Sequence, residues 1–73
     1  MNVDTIGVNA GKVWQVLNDA VVMGTKQLKK ATKLKTDKEL FAAIGWLARE
    51  GKITLQQSDD DEKETLVTLV PEH

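Results

Sequence analysis

The sequence predicts an α+β fold of three helices, one short strand and a C-terminal two-stranded β-hairpin. Apolar residues recur at helical spacing up to Gly51, and the period changes to two after it. Hydrophobic residues make up 41% of the 73 residues and charged residues 29%, which is typical of a globular chain. We expect residues 1–73 to form a single domain, because so short a chain has no room for a second core.

The first helix is predicted over roughly residues 5–19 from an apolar stripe with helical spacing. The stripe consists of Ile6, Ala10, Val13 and Leu17, widened by Trp14, Val16 and Ala20. The next four residues, Ala-Val-Val-Met at 20–23, are rich in β-branched side chains and end at Gly24. They predict a short strand.

Two further helices are predicted from capping residues. Thr25 is expected to cap a short second helix that turns Leu28 and Ala31 inward, and Leu34 is expected to fill the turn that follows. Thr36 and Glu39 have the spacing of a capping box at the start of the third helix, and Gly51 is expected to end that helix. The predicted core face of the third helix consists of Leu40, Phe41, Ile44, Leu47 and Ala48.

The hairpin is predicted from two β-prone runs, Ile53–Gln57 and Thr65–Val70, which an acidic loop joins. In the second run, Val67 and Leu69 alternate with Leu66 and Val70. We therefore expect this strand to be partly covered on both of its faces.

The sequence argues against an enzyme. It contains no cysteine, and its only histidine is His73 at the C-terminus. The segment Gly7–Val13 lacks the spacing and the hydroxyl of a phosphate-binding loop, and the contiguous acids Asp59–Glu62 lack the alternation of a calcium loop. We predict no catalytic residue, no metal site and no cofactor, and we infer no small-molecule substrate.

The N-terminus has neither the basic region nor the apolar region of a secretion signal. Uninterrupted apolar runs such as Ala20–Met23 and Leu40–Ile44 are far shorter than the roughly 20 residues that a membrane span needs. We therefore expect a cytoplasmic protein that makes no membrane contact.

Residues 24–53, GTKQLKKATKLKTDKELFAAIGWLAREGKI, resemble the helix-turn-helix of winged-helix proteins. The chain also resembles, over nearly its whole length, a group of small stand-alone bacterial winged-helix proteins of unassigned function. The residues that carry the likeness are Leu28, Ala31, Leu34, Leu40, Ile44 and Leu47, followed by the exit into the hairpin, Arg-Glu-Gly-Lys-Ile. The resemblance implies a DNA-binding or transcription-regulatory module whose third helix is presented to the major groove.

The charge distribution gives mixed support to DNA binding. Six lysines and one aspartate lie between Gly24 and Lys38, whereas six acids and one lysine lie between Asp59 and His73. Lysines on a short helix also serve solubility, and the acidic loop would be repelled by phosphate. The candidate nucleic-acid-binding residues are Lys29, Lys30, Lys33, Lys35, Lys38 and Arg49.

The alternative function is a protein-interaction module on the same scaffold that does not bind DNA. Ala42, Gly45 and Trp46 lie on the arc opposite the predicted core face and form a candidate protein interface, unless the hairpin or the first helix covers Trp46. The partner would be another protein or a second copy of the chain, with the acidic loop of one copy against the basic helix of the other. The candidate partners are therefore double-stranded DNA and a protein.

Overall fold

The part of the chain that the structure describes folds into three helices and a three-stranded antiparallel sheet, which confirms the predicted fold class. The structure is a computed structural model that describes residues 1–59 and 64–71. None of the helices in these two ranges combines the length and the apolar character needed to cross a lipid bilayer. The elements are α1 (Val3–Ala20), β1 (Val22–Gly24), α2 (Thr25–Thr32), α3 (Asp37–Arg49), β2 (Ile53–Gln57) and β3 (Thr65–Leu69).

The sheet has the order β1-β3-β2, so the last strand lies in its middle. The hairpin register pairs Ile53 with Leu69, as adjacent β-prone runs predict. On its other side β3 pairs with β1, and Met23 lies opposite Val67. Val67 is fully buried and Leu66 on the other face is half-buried, so the expectation of a strand covered on both faces is confirmed.

The hydrophobic core joins α1 to α3 and to one face of the sheet. The predicted stripe of α1 supplies three of its members, and α3 supplies four with the i, i+3, i+4, i+7 spacing of a buried face. The buried hydrophobic residues are Ala10, Val13, Leu17, Leu28, Leu34, Leu40, Ala43, Ile44, Leu47, Ile53 and Val67.

The prediction for the core face of α3 was wrong at two positions. Phe41 and Ala48 are exposed, and Ala43 is fully buried in their place. The core face is centred on the side of α3 that packs along α1, where a small residue lets the two helix backbones approach closely. The side that carries Phe41 borders a groove beside α2, because α2 has only eight residues and does not cover it.

The prediction for α2 was wrong at both ends. Gly24 is the N-cap residue and offers no side-chain hydrogen bond, whereas Thr25 is the first helical residue and is buried. At the other end Ala31 is exposed and Thr32 is buried. The Thr32 hydroxyl donates to the carbonyl oxygen of Leu28 at 2.8 Å, so burying this polar side chain leaves no unsatisfied donor.

Both predicted ends of α3 are confirmed. The Thr36 hydroxyl oxygen accepts a hydrogen bond from the backbone N–H of Glu39 at 3.1 Å and donates to its carboxylate at 3.2 Å. Gly51 has a φ of +73°, and its N–H donates to the carbonyl of Ala48, while the N–H of Lys52 donates to that of Leu47. This Schellman arrangement directs the chain from α3 into β2.

Val21 joins α1 to β1 in a strained conformation, so the strand begins later than predicted, at Val22. Its φ of +70° is one that β-branched residues rarely adopt. Two backbone hydrogen bonds hold Val21 in this conformation. The Val21 N–H donates to the carbonyl of Leu17, and the Val21 carbonyl accepts from the N–H of Leu69, both at 2.7 Å.

We expect Val21→Gly to raise the free energy of unfolding by about 1 kcal/mol, because glycine adopts a positive φ without steric strain. The side chain is more than half exposed, so little packing is lost. Urea denaturation followed by circular dichroism measures the change. The matched control is Val22→Gly in regular strand, which we expect to lower stability, and a decrease with Val21→Gly as well would contradict the strain argument.

Candidate nucleic-acid interface

The outward face of α3 carries a cation near each of its ends. Lys38 and Arg49 are both exposed and lie on the side of the helix opposite the buried residues. They are separated by eleven residues, which corresponds to roughly 16 Å along the helix axis. This separation exceeds the width of a DNA major groove, which is about 12 Å.

The middle of this face is flat. Gly45 is exposed, and a Cβ atom built on it would meet nothing within 4 Å. Ala42 beside it is half-buried and adds only a methyl group. A glycine at an exposed position in a helix lowers its stability relative to alanine, so Gly45 makes this surface smooth but lowers the stability of α3. It allows another molecule to approach the backbone of α3.

The lysines of α2 and of the turn lie beside α3 but differ in their surroundings. Lys29 places its Nζ 3.0 Å from the Oδ1 of Asp37, so part of its charge is offset within the chain. Lys30, Lys33 and Lys35 are exposed and form no ion pair with any residue in the described ranges. The four predicted cations of α2 and the turn therefore lie together along one groove beside α3, whereas Lys38 lies in a separate depression beside Met1 and Thr5.

The two tryptophans have different surroundings. The ring of Trp46 lies over α1, where a Cβ on Gly7 would be 3.6 Å from its Cζ2 atom, and 36% of the residue stays exposed. The sequence left open whether the hairpin or the first helix covers Trp46, and the structure shows that the first helix covers it in part. Trp46 therefore lies at the edge of the outward face of α3. Trp14 is half-buried against the core, with the Lys52 Nζ 5.7 Å from its ring centroid.

Sequence reasoning missed Glu64. Its Oε1 atom accepts hydrogen bonds from the Thr25 hydroxyl at 2.8 Å and from the Lys26 backbone N–H at 2.9 Å. A carboxylate from the loop end of the hairpin therefore caps α2, whose N-cap glycine has no side chain to do so. The only local signal was the absence of a capping side chain at Gly24.

The predicted acidic loop is described only at its edges. Asp59 is exposed, and the Ser58 N–H donates to the carbonyl of Glu64 at 3.1 Å, which closes the hairpin beside the loop. Asp60, Asp61 and Glu62 lie outside the described residues, as does His73. The negative charge of this loop follows from its sequence.

The fold and this basic surface define a winged helix-turn-helix domain, with the β2–β3 hairpin as the wing. The sequence profile of the family described as winged helix-turn-helix domain (DUF2582) matches residues 1–68, and the chain belongs to this family. The chain is similar to the solution NMR structure of protein BT2368 from Bacteroides thetaiotaomicron, with a TM-score of 0.79 and 30% sequence identity. The match covers 94% of this chain and 79% of that one. No curated protein matches the chain.

Proposed function

We propose that this chain is a regulatory module that binds double-stranded DNA through the outward face of α3. The observation that carries the proposal is the uncovered face itself, with Lys38 and Arg49 near its ends and Gly45 between them. Winged-helix domains serve in general as DNA-binding modules, and they are typically not enzymes. The proposal takes residues 1–73 as one domain that acts in the cytoplasm.

In this arrangement α3 enters the major groove and its basic side chains neutralise phosphates on both sides. Lys30, Lys33 and Lys35 extend the contact along the sugar-phosphate backbone. Arg49 is the side chain on this face that can donate two hydrogen bonds to a guanine, and Ala42 offers a methyl group to a thymine. Phosphate contacts therefore dominate the affinity, and binding depends strongly on salt.

The net charge of −1 works against this affinity, because it weakens the long-range attraction between protein and DNA. The test therefore starts at low salt, about 20 mM NaCl, where electrostatic binding is strongest. A fluorescently labelled duplex of mixed sequence is titrated with protein, and its anisotropy gives the dissociation constant. A salt series gives the number of phosphates that are neutralised.

Two glycines of this chain provide a matched pair of variants. Gly45 and Gly11 are both exposed within helices, and neither has an atom within 4 Å of a built Cβ. Gly45→Glu and Gly11→Glu therefore change the net charge equally, but only the first places a carboxylate on the outward face of α3. We expect Gly45→Glu to weaken DNA binding at least about tenfold and Gly11→Glu less than about threefold.

Reversing Lys30 and Lys33 together to glutamate tests the contribution of α2 and the turn. We expect weaker binding and a shallower dependence of log Kd on log salt, since each lysine–phosphate contact adds about 0.9 to the slope. Equal effects of the two glycine variants would show that only net charge matters. A wild-type chain that binds no duplex at about 20 mM NaCl would refute the proposal.

The second candidate function is a protein-interaction module, and the exposed part of Trp46 favours it. Trp46 neighbours Ala42 and Gly45 on α3, and tryptophan is enriched among residues that dominate binding energy. In the homodimeric form of this proposal, the surface formed by these three residues contacts the same surface of a second copy across a two-fold axis. Sedimentation equilibrium tests the homodimer. We expect the wild-type chain to dimerise and Trp46→Ala to weaken the dimer. A wild-type chain that stays monomeric at high concentration would contradict the homodimer.

A further inference from the structure

A groove of about 720 Å³ lies between α2 and α3, to one side of the outward face described above. Its floor is apolar and consists of Leu34, Leu40 and Phe41, of which Phe41 is half exposed. Its rim is basic and carries one acidic residue, Asp37, and the lysines Lys26, Lys29, Lys30, Lys33 and Lys35. An exposed aromatic ring surrounded by cations is a surface to which an anionic and partly apolar molecule is complementary.

The position of Phe41 separates this groove from the proposed DNA surface. On α3, Phe41 lies about 60° around the helix axis from the line through Lys38, Gly45 and Arg49, toward α2. A duplex whose major groove receives the outward face leaves this side of α3 beside the sugar-phosphate backbone. Phosphates interact with the rim lysines but offer nothing apolar to cover the Phe41 ring.

The distribution of the rim lysines indicates the size of the occupant. They occur from Lys26 at the start of α2 to Lys35 in the following turn, and α2 alone is about 12 Å long. One small carboxylate meets one or two of these cations, whereas several acids on one peptide meet most of them. A helical or extended peptide of a few residues has this length and also presents apolar side chains between its acids.

We propose that the α2–α3 groove binds an acidic peptide segment of another protein, which inserts an apolar side chain against Phe41. Its carboxylates pair with the rim lysines, above all with Lys30, Lys33 and Lys35, since these form no ion pair in the described parts of the chain. The proposal does not rest on DNA binding. Because the two partners share lysines, a bound peptide and a bound duplex would compete.

Selection from a phage-displayed library of random peptides of about 12 residues tests the proposal. The wild-type chain is immobilised, and a variant with Lys30→Glu and Lys33→Glu serves for counter-selection. We expect the enriched peptides to be acidic and to share an aromatic or leucine residue. No enrichment, or enrichment of neutral or basic peptides, would overturn the proposal.

The affinity of one enriched peptide, made synthetically and labelled, then locates the site. We expect Phe41→Ala to weaken its binding at least tenfold, and the double charge reversal to do the same. Val8→Ala removes an exposed apolar side chain from α1 and is the matched control, with an expected change below twofold. Thermal melts establish whether each variant folds. If Phe41→Ala does not fold, the variant with Lys30→Glu and Lys33→Glu still tests the site, because both lysines are exposed.

Two further variants separate this site from the DNA surface. Lys38→Ala with Arg49→Ala is expected to weaken duplex binding and to leave peptide affinity within twofold. Phe41→Ala is expected to leave duplex affinity within twofold. If Phe41→Ala weakens duplex binding as strongly as peptide binding, the groove belongs to the DNA surface and the peptide proposal is wrong. If the wild-type chain binds no DNA but binds the acidic peptide, only the proposed DNA function fails.

Discussion

Replacing Glu64 with alanine is expected to lower the free energy of unfolding by about 2 kcal/mol and the melting temperature by roughly 8–16 °C. The carboxylate oxygen accepts two hydrogen bonds at the start of α2, from the Thr25 hydroxyl and the Lys26 N–H. Thr25 is buried, so its hydroxyl loses its partner where water does not replace it. The negative charge also lies at the positive end of the helix dipole. Thermal and urea denaturation measure the loss.

The matched control is Glu50→Ala. Glu50 contacts Lys52 at 3.6 Å, but the side chains of both residues are more than 40% exposed, so this ion pair is expected to contribute less than about 0.5 kcal/mol. Glu64→Gln retains an acceptor without the charge and should fall between the wild type and Glu64→Ala. Equal losses for Glu50→Ala and Glu64→Ala would mean that the link from hairpin to helix adds no stability.

Gly24→Ala is expected to lower the free energy of unfolding by about 1 kcal/mol, although the glycine conformation, φ −71° and ψ 154°, is open to any residue. The cause is a close approach, since a Cβ at Gly24 would lie 2.8 Å from Oε1 of Glu64 and 3.0 Å from its Cδ. The carboxylate must then move away from the donors that it caps. The same denaturation experiments measure the change.

The sign of this effect should reverse when Glu64 is absent. In the Glu64→Ala background, Gly24→Ala is expected to be neutral or to stabilise by up to about 0.5 kcal/mol, because alanine restricts the unfolded chain. The double-mutant cycle should give a coupling energy of at least about 1 kcal/mol. Gly11→Ala, where nothing lies near the built Cβ, is the control and should stabilise in both backgrounds. An equal cost of Gly24→Ala in both backgrounds would exclude the close approach as its cause.

The elements of the fold were predictable because their signals are local. The spacing of Leu40, Ile44 and Leu47 predicts which side of α3 is buried, and the caps at Thr36 and Gly51 predict where it starts and stops. Each of these signals depends on contacts within about four residues, which a single sequence contains in full. The candidate site was predictable to the same extent, since the exposure of Lys38 and Arg49 follows from helix periodicity.

The positions that were predicted wrongly are those where a distant element decides the outcome. Phe41 is apolar and lies near the buried stripe, but no part of the short α2 covers it, so it becomes the floor of a groove. Thr25 has the residue type of an N-cap, but Glu64 caps the helix from 39 positions away and Thr25 becomes a buried donor. For Trp46 the sequence left the covering open, and α1 covers part of its ring at Gly7 while 36% of the residue stays exposed.

The sequence by itself determined the three helices, the hairpin, their order and the segregation of lysines from acids, because helix periodicity, capping and charge are properties of neighbouring residues. Only the tertiary structure decided that β1 pairs with β3, that Glu64 ties the hairpin to α2, and that a basic groove with Phe41 in its floor stays open. These features depend on the distances between packed helices and strands and on which side chains the packed elements leave exposed. The lengths and angles of all the elements together set those distances, and local sequence patterns do not contain them.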